Sequence, residues 1–186
     1  MLSRISFFLY RLSRGPVALV ALIGFLLFGS LVLPAQAQRA ETYSNGADSP
    51  DSSFFYSSAD LYTMAGTYGE KGRAEYIRAR FTFDLIFPLV YFVFLATSIS
   101  WVFAHAIPDV ASPWRLLNLF PVFGIMFDYM ENISTSLVMA SYPRQSFAGF
   151  LAPVFTSVKW FFVNGSFVIL TAGVFIALWR RIIKKT

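Results

Sequence analysis

The chain has 186 residues, of which 56% are hydrophobic and 13% charged, against about 45–50% apolar and about 25% charged in soluble domains, which excludes a water-soluble fold. It has no cysteine and one histidine, so disulfides, thiolate chemistry, a catalytic cysteine and multi-histidine zinc or iron sites are excluded as well. The net charge of +5 reads as anchoring charge facing anionic lipid, and no nucleic-acid partner is expected.

Residues 1–16 place Ile5, Phe8, Leu9 and Leu12 at helical spacing among Arg4, Arg11 and Arg14. Two readings stand: a short amphipathic helix lying among lipid headgroups, or a frayed basic flank, since so short a helix is marginal alone. Residues 17–33 are apolar enough for a first span. Pro34-Ala35-Gln36-Ala37-Gln38 then resembles a secretory cleavage site. The apolar core from Val17 to Leu33 is longer than the about 7–15 residues of a signal core, so an uncleaved anchor is expected.

Residues 34–82 read as an extracytoplasmic loop with short helices. The part from 36 to 56 is polar and predicted irregular, with turn chemistry at Ser44-Asn45-Gly46 and Asp48-Ser49-Pro50-Asp51. From Ser58, as cap, a helix carries Leu61, Met64, Ala65 and Tyr68 on one side and is predicted to stop at Gly69. Glu70-Lys71-Gly72 reads as a second turn, after which Arg73 to Phe83 runs unbroken into a second span at 83–107, with Pro88 kinking it near its start. There follow a cytoplasmic loop (108–116), a third span (117–141), an extracytoplasmic loop (142–153), a fourth span (154–179) and a basic tail (180–186).

The fold class is therefore all-α: an integral membrane bundle of four transmembrane helices with a helical loop on its outer face. Orientation follows from arginine and lysine near the helix ends. Arg4, Arg11, Arg14, Arg115, Arg180, Arg181, Lys184 and Lys185 fall on one side, whereas the basic residues of 34–82 are offset by Glu41, Asp48, Asp51, Asp60, Glu70 and Glu75. Both termini are expected in the cytoplasm, in a bacterial cytoplasmic membrane. Trp101, Trp114, Trp160 and Trp179 fall near the interfaces, as belt residues do.

Inside the spans the charged residues are Asp84, Asp128, Glu131 and Lys159. Asp128, Glu131, Asn132 and Thr135 follow i, i+3, i+4, i+7 and share one stripe of the third helix, which must face protein. Two carboxylates a turn apart in low dielectric resist double ionisation, so one needs a cationic partner or a proton. Lys159 can reach Glu131, with Asp84 an equally close competitor, and Asn164 lies deep enough to join. Three readings of this cluster compete: a satisfied network fixing helix register, a proton relay or polar pocket for an ion or lipid headgroup, and acid–base catalysis. No motif supplies a substrate-positioning site, so no enzyme is expected.

His105, near Trp101 and Phe103, reads as an interfacial histidine; axial ligation of a haem or chlorophyll-type pigment is the minor alternative. No other cofactor and no metal are indicated. Arg78, Arg80, Arg180 and Arg181 are expected at the lipid interface, with Arg80 also able to pair with Asp84 at i, i+4. Gly173 and Ala177, with Ser166 seven before Gly173, form a small-residue face that admits a close helix neighbour, in this chain or another subunit. Arg80, Thr82 and Asp84 together with Asp128-Tyr129-Met130-Glu131-Asn132 resemble small bacterial four-span proteins of unassigned function, a likeness that implies no activity. The leading expectation is a structural or accessory subunit of a larger membrane complex, contacting lipid and other membrane subunits or itself. Proton or lipid handling at Asp128, Glu131 and Lys159 is the alternative.

Overall fold

The computed structural model describes residues 2–50 and 53–183; Asp51, Lys184 and Lys185 lie outside the described residues. The regular elements among the described residues are all helical: α1 (Leu2–Leu12), α2 (Gly15–Leu27), α3 (Leu33–Ser44), α4 (Ser58–Arg80), α5 (Phe83–Ala106), α6 (Phe120–Ser141) and α7 (Phe147–Ile183). A π-helical turn, Phe28–Val32, joins α2 to α3, and a 3-10 segment, Pro113–Leu119, leads into α6.

Three helical stretches are long and apolar enough to cross a membrane: Gly15–Ser44, Ser58–Ala106 and Phe147–Ile183. In the second, the apolar part is α5, because α4 carries Asp60, Glu70, Lys71, Arg73, Glu75, Arg78 and Arg80. α6, expected as the third span, is not among them. Asp128, Glu131, Asn132 and the hydroxyls of residues 134–136 lower its hydropathy below that of its neighbours.

The chain divides into two compact units. One comprises the described residues of Met1–Leu26, Val90–Gly124 and Phe161–Thr186, the other Leu27–Leu89 and Ile125–Trp160.

In the first unit, α1 packs on the 3-10 segment. The N-terminus is thus helical from Leu2 to Leu12 and packed on this segment. Asn118 is the buried joint: its Nδ2 donates to the Ser6 carbonyl at 3.1 Å and to Ser100 Oγ at 3.0 Å. Phe25, Phe94 and Phe167 form an aromatic cluster with centroids 4.7–6.2 Å apart. Gly173 on α7 lies directly against Phe103 and Val102 of α5, so the close neighbour of that small-residue face belongs to the same chain. A Cβ at Gly173 would collide with the Phe103 ring.

In the second unit, the core joins Leu61, Ala65, Tyr68 and Tyr76 of α4 to Val138 and Met139 of α6 and Ala152 of α7. Of the side chains that the sequence placed on one face of α4, Leu61, Ala65 and Tyr68 are buried and Met64 is partly buried against them. The helix is capped by Ser57, one residue before the expected Ser58. Ser57 Oγ accepts from the Asp60 amide at 3.1 Å while the Asp60 carboxylate accepts from the Ser57 amide at 2.8 Å, a reciprocal capping box.

Four expected boundaries are corrected. The segment after residue 33 is helix to Ser44, not loop, because its Ala, Gln, Arg and Glu residues favour helix. The turn at Ser44-Asn45-Gly46 then ends it, with Asn45 at φ 51°. Gly69 does not end α4 but kinks it: at φ 66°, ψ 177° it breaks the helical path, and helix resumes where Glu70-Lys71-Gly72 reads as a turn. The carbonyls freed by the kink find other donors, Ala65 from the Arg73 guanidinium at 3.0 Å, and Thr67 and Tyr68 from Asn45 Nδ2 at 3.1 and 3.3 Å. Residues 73–83 do not run unbroken into α5, since Phe81 and Thr82 form a turn. Finally, α7 begins at Phe147, inside the expected loop 142–153, and carries Pro153 within it.

Candidate functional site

The polar stripe of α6 is buried, as its spacing requires: Asp128 is 8% exposed, Glu131 0%, Asn132 4% and Thr135 0%. A buried carboxylate without a partner would be expelled or protonated. Glu131 has one. Its Oε2 forms an ion pair with Lys159 Nζ of α7, and its Oε1 accepts from Thr156 Oγ1 at 2.6 Å. Thr156 and Lys159 are three apart on α7 and so share a face.

Tyr56, in the irregular segment before α4, closes the group, with its hydroxyl 2.9 Å from Thr156 Oγ1. A hydroxyl has one proton to give. With Thr156 donating to Glu131, Tyr56 donates to Thr156, and a chain of polar groups runs Tyr56, Thr156, Glu131, Lys159. Burial lifts the Tyr56 phenol well above its ordinary range, and the Glu131 charge adds to this, against the opposing effect of its hydrogen bond with Thr156. Tyr56 is thus held as a neutral donor. Lys159 also lies 5.0 Å from the centre of the Trp160 ring, a cation–π contact that offsets part of its desolvation.

The remaining stripe is tied to the start of α5. Asn132 Nδ2 donates to Asp128 Oδ1 at 3.2 Å and to the Asp84 carbonyl at 3.5 Å, and the Tyr129 hydroxyl donates to the Leu85 carbonyl at 2.9 Å. Asp84 itself pairs with Arg80 at 3.0 Å, as i, i+4 spacing allows. The structure therefore separates two buried pairs where the sequence left Asp84 and Glu131 competing for Lys159.

Two expected site residues, Asn164 and Arg80, stand elsewhere. Asn164 is exposed on α7 and does not belong to a buried network. Arg80 is 7% exposed, withdrawn from the lipid interface by Asp84 and by the Tyr76 ring 4.5 Å beneath its guanidinium. Arg78, Arg180 and Arg181 are exposed, as interfacial cations are. His105 is exposed, and its Nδ1 donates to the Trp101 carbonyl of the preceding turn at 2.8 Å, which leaves Nε2 as its outward nitrogen. No group of three or more metal-ligating side chains occurs among the described residues.

Sequence reasoning missed Thr156 and Tyr56. Thr156 was readable, lying three residues before the only lysine in a span. Tyr56 carried no local signal, because a tyrosine in an irregular polar segment has no periodicity. Compared with known protein families, curated proteins and solved structures, the chain matches none.

Proposed function

We propose that this chain is a four-span protein of a bacterial cytoplasmic membrane with both termini in the cytoplasm, acting as a structural or accessory subunit of a larger membrane assembly. In this reading α2, α5, α6 and α7 cross the bilayer. α6 is admitted because its polar stripe is covered by protein. The observation that carries the reading is the closure of Glu131: one oxygen takes Lys159, the other Thr156, and the side chain has no exposure to solvent. A carboxylate occupied in this way fixes the register of two helices, the best-attested use of a buried ion pair. The outward faces supply the surface for assembly, since the most apolar stretches of Gly15–Ser44 and Phe147–Ile183 are hardly buried within the chain.

Purification in mild detergent tests the role. Co-purification of the chain in a stable larger complex is expected. A monodisperse lone chain without a partner would overturn the subunit reading.

The rival reading, proton or lipid handling, draws support from the hydroxyl relay that leads from Tyr56 to Glu131. It requires Glu131 to exchange protons with water. Proton flux in vesicles that Glu131→Gln abolishes would establish it in place of the structural role. A pigment or haem role at His105 is read from the absorbance spectrum of the purified protein, and a chromophore unaffected by substitution of His105 would show that this residue is not its ligand.

A further inference from the structure

A cleft of about 550 Å³ opens in the first unit where α1 meets the segment from Val110 to Leu116. Its size is that of a small-ligand pocket, which commonly measures about 300–1,000 Å³. Arg115 is the one charged side chain in its lining, and hydroxyls come from Ser3, Ser6, Ser112 and Tyr10. Among the described residues, no carboxylate lines it. The adjacent Asp109 is engaged in its own turn, accepting from the Ala111 amide at 2.9 Å.

Arg115 is held in place. Its guanidinium stacks 4.0 Å over the Tyr10 ring, while its carbonyl accepts from the Tyr10 hydroxyl at 3.0 Å and from Ser6 Oγ at 3.5 Å. A half-buried guanidinium oriented in this way presents a fork that matches the oxygens of a phosphate. The rest of the wall is apolar and exposed, from Phe7, Val110 and Leu116, which suits the glycerol and first carbons of a lipid. α1 itself exposes Leu2, Ile5 and Phe8 beside Arg4 and Arg11, the arrangement of a helix lying at the level of lipid phosphates.

We infer that this cleft binds the phosphate of a glycerophosphate group, with Arg115 as its anion-holding side chain and the hydroxyls of Ser3 and Ser112 as further donors. The chemistry is shared by a phospholipid headgroup and a soluble phosphate ester. The inference rests on the membrane reading above but not on the accessory role, whose failure would show in complex formation while leaving lipid retention unchanged.

The test is native mass spectrometry of the full chain in mild detergent, with phosphatidylglycerol or the diacylglycerol of identical acyl chains added in equal amounts. Retention of phosphatidylglycerol is expected to exceed that of diacylglycerol by about tenfold, and to fall by about tenfold in Arg115→Ala and in Ser3→Asp, the loss that one charge-assisted hydrogen bond accounts for. Arg115→Ala keeps the carbonyl that Ser6 and Tyr10 bond. Ser3 is exposed, so Ser3→Asp tests the site without touching the core. Displacement of the lipid by glycerol 3-phosphate would mark a soluble ester as an occupant; its failure to compete would mark the lipid. Equal retention of the two lipids, or equal retention by the unaltered chain and both variants, would overturn the inference.

Discussion

Glu131 and Lys159 form an ion pair whose side chains are 0% and 5% exposed. Its partners come from α6 and α7, so the contact ties these two helices together. The pair is costly to bury and more costly to break, because removing one member leaves the other charged and unmatched.

Lys159→Met is therefore expected to destabilise the protein by about 3–5 kcal/mol, and Glu131→Leu combined with Lys159→Met to recover most of that loss. Thermal unfolding of the purified chain in detergent, arranged as a double-mutant cycle, gives the coupling. A double variant as unstable as the sum of the two single ones would show that the pair does not act as a unit.

At Gly72, α4 lies close against the backbone of α3. A Cβ there would strike the carbonyl oxygen of Tyr43, a backbone atom that cannot rotate away, whereas a Cβ at Gly24 meets nothing within 4 Å. Gly72→Ala is expected to cost at least about 1–3 kcal/mol, the range for overpacking. Gly24→Ala serves as the neutral control. Equal unfolding temperatures for the two variants would contradict the close packing of α3 on α4.

The polar stripe of α6 was legible because four polar residues at i, i+3, i+4 and i+7 in an apolar helix admit one reading: they face protein. Lys159 was legible as the lone cation in a span. The division of partners was not. Reach alone left Asp84 and Glu131 equivalent, and it is Arg80, at i, i+4 from Asp84 across the Phe81-Thr82 turn, that separates them. The extent of α3 is hidden in the sequence because its residues are polar and also good helix formers, and polarity alone does not separate helix from loop. Likewise the sequence marked Gly69 as a stop. What allows the chain to continue past it is a set of donors from Arg73 and Asn45 that only the tertiary fold assembles.

Asn118 holds α1 through the Ser6 carbonyl while its other proton goes to Ser100. Asn118→Ala removes both bonds and leaves a void in a site that is 0% exposed. The expected result is release of α1 without loss of the remaining fold, since the other ties of α1 to the 3-10 segment are the hydrogen bonds of Ser6 and Tyr10 to the Arg115 carbonyl and the stacking of Arg115 on Tyr10. Limited trypsin treatment reads this directly. Cleavage after Arg4, Arg11 or Arg14 should accelerate several-fold in the variant, and unchanged cleavage would show that Asn118 does not anchor the helix.

The first turn of α4 carries a pH dependence whose sign is fixed by its cap. The Asp60 carboxylate accepts from the Ser57 amide and the Ser57 hydroxyl, both at 2.8 Å, and these bonds lower its pKa below the ordinary value. A carboxyl whose folded pKa is depressed stabilises the fold fully above its unfolded pKa and loses that contribution as pH falls through the folded value. The window therefore lies below about pH 4. Ser57→Ala should weaken the cap by about 1 kcal/mol at neutral pH. Amide hydrogen exchange in the first turn of α4 is the local readout, because fraying there does not require global unfolding. Asp60→Ala is expected to speed exchange at neutral pH and to differ progressively less from the unaltered chain as pH is lowered through that window. A difference that persisted undiminished after the carboxyl is protonated would show that the cap does not depend on the Asp60 charge.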